Sequence, residues 1–345
     1  MNSTTVSVDV AKSVFEIAVS HHPGVVCERH RLPRSRFLEF FAQHQAATVL
    51  LEACSSTHYW ARRLQSLGHH VVLLPPHAVR PYVTGNKTDR ADAKGLLEAF
   101  RNRDIHPVPV KNLNQQALSS LHRFRSAWVS TRTARINTVR GILREFGQVI
   151  PLGSQHVVRM AQEILEDAES EVPHALRPCL ADALSEIRDL EEKMKKVERQ
   201  LKLLAKQTPA LERLQTIPGI GLLTATALVA LVGDIQRFPS GRHFASYLGL
   251  TPKESSSGLR RRLGGISKRG DRYIRALLNH GARSVLHYAK KKEHPDRLRS
   301  WALKIAMTRG HNKAVSALAN KLARIAWAVW KKDCSYLSDP LVQGE

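Results

Sequence analysis

The sequence predicts a multidomain protein: an α/β domain at the N-terminus, a helical connector, and a mainly α-helical C-terminal domain. Three observations carry that expectation. Strand-like runs alternate with helix-like runs over the first hundred residues, an apolar repeat of threes and fours occupies residues 180–204, and apolar segments beyond Thr208 are broken by short glycine and proline turns. At 345 residues the chain is long enough for two or three cores.

Taken in order, TVSVDVAKSVFEIAV (Thr5 to Val19) alternates apolar and polar residues with a polar break at Ala11 to Ser13, the period of a β-hairpin. ATVLLEA and HVVLLP are compact apolar runs that suit buried strands, and Thr57 to Leu67 between them reads as a helix ended by Gly68. From Asn114 to Phe146 one long helix, or two, carries Arg125, Arg132, Arg135, Arg140 and Arg144 among apolar positions. Few acids lie between them, so this face is expected to track phosphates, with Arg125, Arg132 and Arg135 as contacts. Leu180, Ala183, Ile187, Leu190, Met194, Val197, Leu201 and Leu204 form an a/d seam, which predicts a coiled coil, either between two protomers or folded within one. LQTIPGIGLLTATALVALVG then sets Pro218, Gly219 and Gly221 in a tight turn before an apolar helix, the form of a helix-hairpin-helix whose Gly219 and Gly221 N–H groups could meet a phosphate. Asn312 to Lys332 is an amphipathic helix with Val315, Leu318, Leu322, Ile325 and Val329 inward. The expected boundaries are 1–112, 113–208, 209–335 and a tail of 336–345.

Charge narrows the function. Lys and Arg number 53 against 30 Asp and Glu, a formal net charge of +23, and basic residues recur along the whole chain. A polyanion is the expected partner, nucleic acid first, because each neutralised phosphate releases counterions. The most apolar stretch, Leu222 to Gly233, is far shorter than the ~20 residues of a spanning helix, so no membrane role is expected. No secretory signal is visible, and Cys27, Cys54, Cys179 and Cys334 show no paired spacing, which suits a reduced cytoplasm and argues against a zinc site.

Four acids stand out against that basic background. Asp9 shares a strand face with Ser7, Glu52 ends an apolar strand, and Asp89 and Asp92 lie three apart in NKTDRADAKG, on one side of a helix. Singly, each has a plain explanation as a solvent-face residue, strand end, N-cap or first-turn acid. Together they could converge at one sheet edge as hard oxygen ligands for a divalent ion, which gives a polyanion-binding protein a reason to keep an acid cluster. The other unusual stretch is TPKESSSGLRRRLGGISKRGD, from Thr251 to Asp271. A serine there could be a nucleophile delivered to a phosphate, with Arg260, Arg261, Arg262, Lys268 and Arg269 holding the non-bridging oxygens.

Read in order, VSVDVAKSVFEIAV, LLEA, KTDRADA, LQTIPGIGLLTATAL, FASYLGLTPKESSSG and RLGGISKRGDRYIRALL make the chain resemble IS110/IS1111-family insertion-sequence transposases over nearly its whole length. The resemblance implies an α/β RNase H-like (RuvC-like) D-E-D-D domain at the N-terminus and a mainly α transposase domain at the C-terminus. It implies that Asp9, Glu52, Asp89 and Asp92 bind Mg2+, or Mn2+ in its place. The serine before the glycine of the family's S-G segment is the implied nucleophile; it falls on Ser257, with Ser256 as the reserve in a three-serine run. The family often has a second glycine after S-G, where Leu259 stands here. Lys87, Arg90 and Arg272, in or beside these motifs, complete the expected nucleic-acid contacts. The implied partners are donor and target DNA, a guide RNA encoded by the element, and a homodimer that pairs to a tetramer on DNA; the implied setting is the bacterial cytoplasm. Two rival readings are a RuvC-like junction nuclease that cuts with water and a non-catalytic architectural protein.

Overall fold

The computed structural model describes residues 4–86 and 88–338, so Lys87 and the end of the tail lie outside the described residues. The chain forms two compact units, Met1–Asn114 and Gln115–Glu345.

The first unit runs β1 (Thr5–Val10), β2 (Val14–Ser20), β3 (Glu28–Pro33), α1 (Phe37–Gln43), β4 (Thr48–Glu52), α2 (Thr57–Ser66), β5 (His70–Leu74), α3 (Pro76–Val79) and α4 (Asp89–Phe100). The sheet order is β3-β2-β1-β4-β5, with β2 antiparallel to both neighbours and β1, β4 and β5 parallel. Alternation in the strands assigns the two faces. Val6, Val8, Phe15, Ile17, Val49 and Leu51 pack toward Phe37, Phe41 and Trp60 of α1 and α2. Phe15, Phe37 and Trp60 meet edge-on with centroids 4.5 to 5.1 Å apart. The opposite face sets Leu50, Val72 and Leu74 against Ala93, Leu96 and Leu97 of α4. β3 is an addition to the expected elements: its sequence ERHRLP is polar, and it lies at the sheet edge with no buried residue.

The second unit takes in α5 (Leu113–Glu145), which starts at the junction, then α6 (Val157–Glu166), α7 (Arg177–Ala205), α8 (Pro209–Gln215), α9 (Leu222–Val232), α10 (Gly241–Tyr247), β6 (Pro252–Glu254), β7 (Leu263–Ile266), α11 (Arg272–Ala289), α12 (Arg297–Arg309) and α13 (His311–Lys332). The stretch from Asn114 to Phe146 is thus one helix. The α7 seam is covered within one protomer: Leu180, Leu184 and Ile187 pack with Ile136, Val139 and Leu143 of α5, and Val197 and Leu201 with Leu118. These residues of the repeat are therefore buried as ordinary helix packing inside the unit.

Three cross-helix ion pairs confirm an antiparallel register and correct one expectation. Arg125 Nε lies 2.8 Å from Glu198, Arg132 3.3 Å from Glu191, and Arg135 2.6 Å from Glu186. The basic face of α5 was expected to lack compensating acids; at these positions α7 supplies them. Acids fifty to seventy residues away are invisible to a local scan of charge. Each pair is partly exposed, so solvent screening keeps it weak, and its use here is to fix register.

His122 ties α5 to the C-terminal helices. It is 4% exposed, with Nδ1 3.0 Å from the Tyr273 hydroxyl and Nε2 2.9 Å from Thr226 Oγ1. Thr226 Oγ1 also lies 2.6 Å from the Leu222 carbonyl and donates to it, so Nε2–H donates to Thr226 and Nδ1 accepts from Tyr273. The imidazole is therefore neutral, and burial, then the Arg125 charge, holds its pKa down to about 4. The unfolded chain, with an ordinary histidine near pH 6.5, takes up this proton first. Stability is thus expected to be complete above about pH 6.5 and to fall by on the order of 3 kcal/mol as pH drops toward 4. Unfolding midpoints of wild type and His122→Gln across that window check it: the variant should lose this slope.

Gly219, with φ +83, fits a turn that packs onto α11, where an added Cβ would lie 2.8 Å from the Gly281 carbonyl oxygen. A Cβ on Gly281 would lie 1.9 Å from the Gly219 carbonyl oxygen. Gly281→Ala is expected to destabilise the unit by at least about 1–3 kcal/mol, measured by denaturant unfolding, because backbone on both sides leaves no flexible atom to move. No helix among the described residues is long and apolar enough to cross a membrane.

Candidate functional site

The carboxylates are placed by register. β1 and β4 pair in parallel from Thr5↔Thr48 to Val8↔Leu51, and the next step sets Asp9 beside Glu52 on the same face. Both are half-buried at the C-terminal ends of neighbouring strands. Ser7, two residues before Asp9 on that face, is fully buried and donates from Oγ to the Ala93 carbonyl at 2.7 Å. That bond fixes the first half of α4 over the face that bears Asp9 and Glu52. Thr88, not Asp89, caps α4 by accepting from the Ala91 N–H at 3.2 Å. Asp89, exposed, and Asp92, half-buried, then stand in the first turn, where the helix dipole favours their charge.

The serine segment forms a β-hairpin, β6 with β7, whose ladder continues past the strands. The Ser255 N–H donates to the Arg262 carbonyl at 3.0 Å, and Ser257 and Arg260 exchange backbone bonds of 3.2 and 3.1 Å. Gly258 and Leu259 are therefore a two-residue turn. Gly258 has φ +54 while Leu259 has no positive φ, so one glycine suffices and the second position accepts leucine, as in a II′ turn. The Ser256 hydroxyl is engaged, donating to Glu254 Oε1 at 2.8 Å and accepting the Arg262 N–H at 3.2 Å. Among the described residues the Ser257 hydroxyl has no hydrogen-bond partner; it is exposed beside the turn.

Exposed cations flank it. Arg260 and Arg262 lie on the returning arm, while Arg261 contacts Glu254 at 3.3 Å. At the hairpin's base Lys268, with φ +56, donates its N–H to the Gly249 carbonyl at 3.0 Å, and Arg269 and Arg272 are exposed. The following Gly270 is required sterically, since a Cβ there would lie 2.3 Å from the Tyr247 carbonyl oxygen. Gly221 begins α9 in open space, whereas Gly219 is accounted for by its packing on α11.

Comparison with known proteins fits both halves of this arrangement. A profile described as transposases of the IS116/IS110/IS902 family matches residues 211–298, and the DEDD transposase profile of IS110 elements matches residues 6–147. A probable family 20 transposase of Pseudomonas aeruginosa is 40% identical over 338 residues, covering 97% of this chain and 99% of its own. The chain belongs to the IS110/IS1111 family of transposases. The transposase of insertion sequence element IS1111A from Coxiella burnetii is 35% identical, covering 95% of this chain and 90% of its own. A pilin gene-inverting protein of Moraxella bovis is 25% identical over 277 residues, 75% of each chain.

For this IS110/IS1111-family transposase, the DEDD match implies a RuvC-like fold in the first unit, DNA as substrate, and chemistry that uses a divalent metal. The donor set suits a hard cation in kind, being carboxylates alone. It is not drawn together: among the described residues, no three of His, Cys, Asp and Glu converge closely enough to hold one ion. Close carboxylates repel, and a bound cation is what would offset that repulsion.

The transposase also holds a carboxylate that the sequence reading passed over. Glu16 pairs directly with Asp9 across β1 and β2, is 5% exposed, and lies 3.5 Å from Arg90 Nε. Arg90, expected as a nucleic-acid contact, is largely exposed and also reaches from α4 to the sheet as the ion-pair partner of Glu16. A signal existed: an acid inside the apolar run VFEIAV, in hairpin register with Asp9.

Proposed function

We propose that this transposase mobilises an insertion sequence by recombining DNA through a covalent serine–DNA intermediate, with Ser257 as nucleophile. The observation that carries the reading is the contrast within the serine run, where the Ser256 hydroxyl is occupied and the Ser257 hydroxyl is displayed beside a turn flanked by Arg260 and Arg262. In the first step the Ser257 Oγ–P bond forms as one P–O bond of the phosphodiester breaks. The hydroxyl proton passes to a base, and the departing sugar oxygen takes up a proton to become a free hydroxyl. The reverse attack by a new sugar hydroxyl reseals the strand and frees the serine, so no ATP is consumed. Arginine guanidinium groups offset the charge that grows on the phosphate oxygens.

Asp9, Glu52, Asp89 and Asp92 would hold Mg2+ or Mn2+, which when bound supplies Lewis-acid stabilisation of phosphate oxygens. Arg90 keeps α4, and with it Asp89 and Asp92, against the sheet through Glu16. Guidance by an RNA encoded by the element, and assembly of homodimers into a tetramer that joins the carboxylates of one protomer to the serine of another, complete the proposal. They draw support from the resemblance and from the net charge of +23. The test supplies protein with DNA carrying the whole element, traps intermediates, digests them and maps the modified peptide by mass spectrometry. A DNA adduct on Ser257 is expected; efficient cutting with free ends and no adduct would falsify the serine mechanism in favour of hydrolysis.

A further inference from the structure

Away from the serine turn, the hairpin forms one wall of a groove of about 1580 Å³ whose other wall is α13, with Trp301 of α12 at its side. This exceeds the roughly 300–1,000 Å³ of small-molecule pockets. Lys253 and Lys268 come from the hairpin side and Lys313, Lys321 and Arg324 from α13, and among the described residues no carboxylate lines the groove. The α13 cations follow helical spacing with Asn312 before them and Ser316 and Asn320 between, so they form one polar face. Ile325, expected to point into the core, packs against it half-buried and also borders the groove.

The electrostatics are those of a seat for an anion. Lys321 Nζ sits 4.1 Å over the Trp301 ring. Its pKa is lowered, by burial first and then by Arg297 and Arg324. Cations crowded without a counter-charge gain stability when a polyanion displaces their ions. From Lys313 to Lys321 is about 12 Å of helix, long enough to face more than one phosphate of a strand. Gly264 and Gly265 present bare backbone to the groove, and a Cβ on Gly265 would have nothing within 4 Å.

We propose that this groove seats a single DNA strand running on from the phosphate that Ser257 attacks, with the α13 cations tracking its backbone. The choice of DNA over RNA rests on the proposed role of Ser257; the anionic strand itself rests on the groove. The test uses the full chain and fluorescein-labelled single-stranded DNA of element-end sequence, with RNA of the same sequence in parallel, titrated by anisotropy over a range of salt. Lys313→Gln/Arg324→Gln is expected to weaken DNA binding several-fold and to flatten the log K against log salt slope by about 1.4, at about 0.7 per lost contact. Lys253→Gln, on the opposite wall, should flatten it by about 0.7 and decides the matter if the double variant unfolds. Unchanged affinity and slope in a folded variant overturn the proposal, and so does a loss confined to RNA. Ser257→Ala should bind DNA with the wild-type slope while forming no adduct. A missing wild-type adduct alongside a flattened slope in the groove variants would therefore fault the serine, not the groove.

Discussion

Ser257→Ala is expected to abolish the protein–DNA adduct and to lower strand exchange by at least about 10³-fold, because removal of a nucleophile leaves only binding and electrostatic stabilisation. Ser256→Ala should retain the adduct. Its hydroxyl bridges Glu254 and the Arg262 N–H, so its loss loosens the hairpin without removing the proposed nucleophile. Adduct yield per protein, measured on matched element DNA, separates the two. If Ser257→Ala kept wild-type cutting, the arginine-flanked turn would be a phosphate grip and the chemistry would belong to the carboxylates alone.

The second large effect is expected from Asp9→Asn and Glu52→Gln. Either should reduce cleavage by more than the about 10–100-fold typical of residues one layer outside a metal, while DNA affinity stays level or rises because a negative charge has gone. Cleavage against Mg2+ and Mn2+ concentration, with binding followed in parallel, reads both. Retained strand exchange in either folded variant would remove that residue from the tetrad, and weaker DNA binding would show that the carboxylate supports the fold. Glu16→Gln serves as the comparison: it should free Arg90 and blunt activity less, since Glu16 reaches α4 through an ion pair.

Those elements whose fold signal is local were legible in the sequence. The hairpin of β1 and β2 announces itself by strict alternation, and α5 and α7 by helical periodicity. β3 is hidden because an edge strand buries too little to need apolar residues. The hairpin of β6 and β7 is hidden for a related reason: its strands are short and largely exposed, and backbone bonds with one positive-φ glycine hold it. The site divides the same way. The side-by-side placement of Asp9 and Glu52 is legible because each sits at a readable strand position. Glu16 needed the register of the hairpin to be counted across its turn. The pairing of Arg125, Arg132 and Arg135 depended on a helix that returns antiparallel after a long excursion, which no local window of charge reveals.

The display of Ser257 bears on safety. An isolated alcohol stays protonated at neutral pH, and among the described residues nothing contacts this one to take its proton. A net charge of +23 attracts any DNA, yet in this arrangement an encounter alone brings no general base to the hydroxyl. On the proposed serine mechanism, latency would then be built into the hairpin itself, since activation would need a base from outside it rather than tighter binding of DNA.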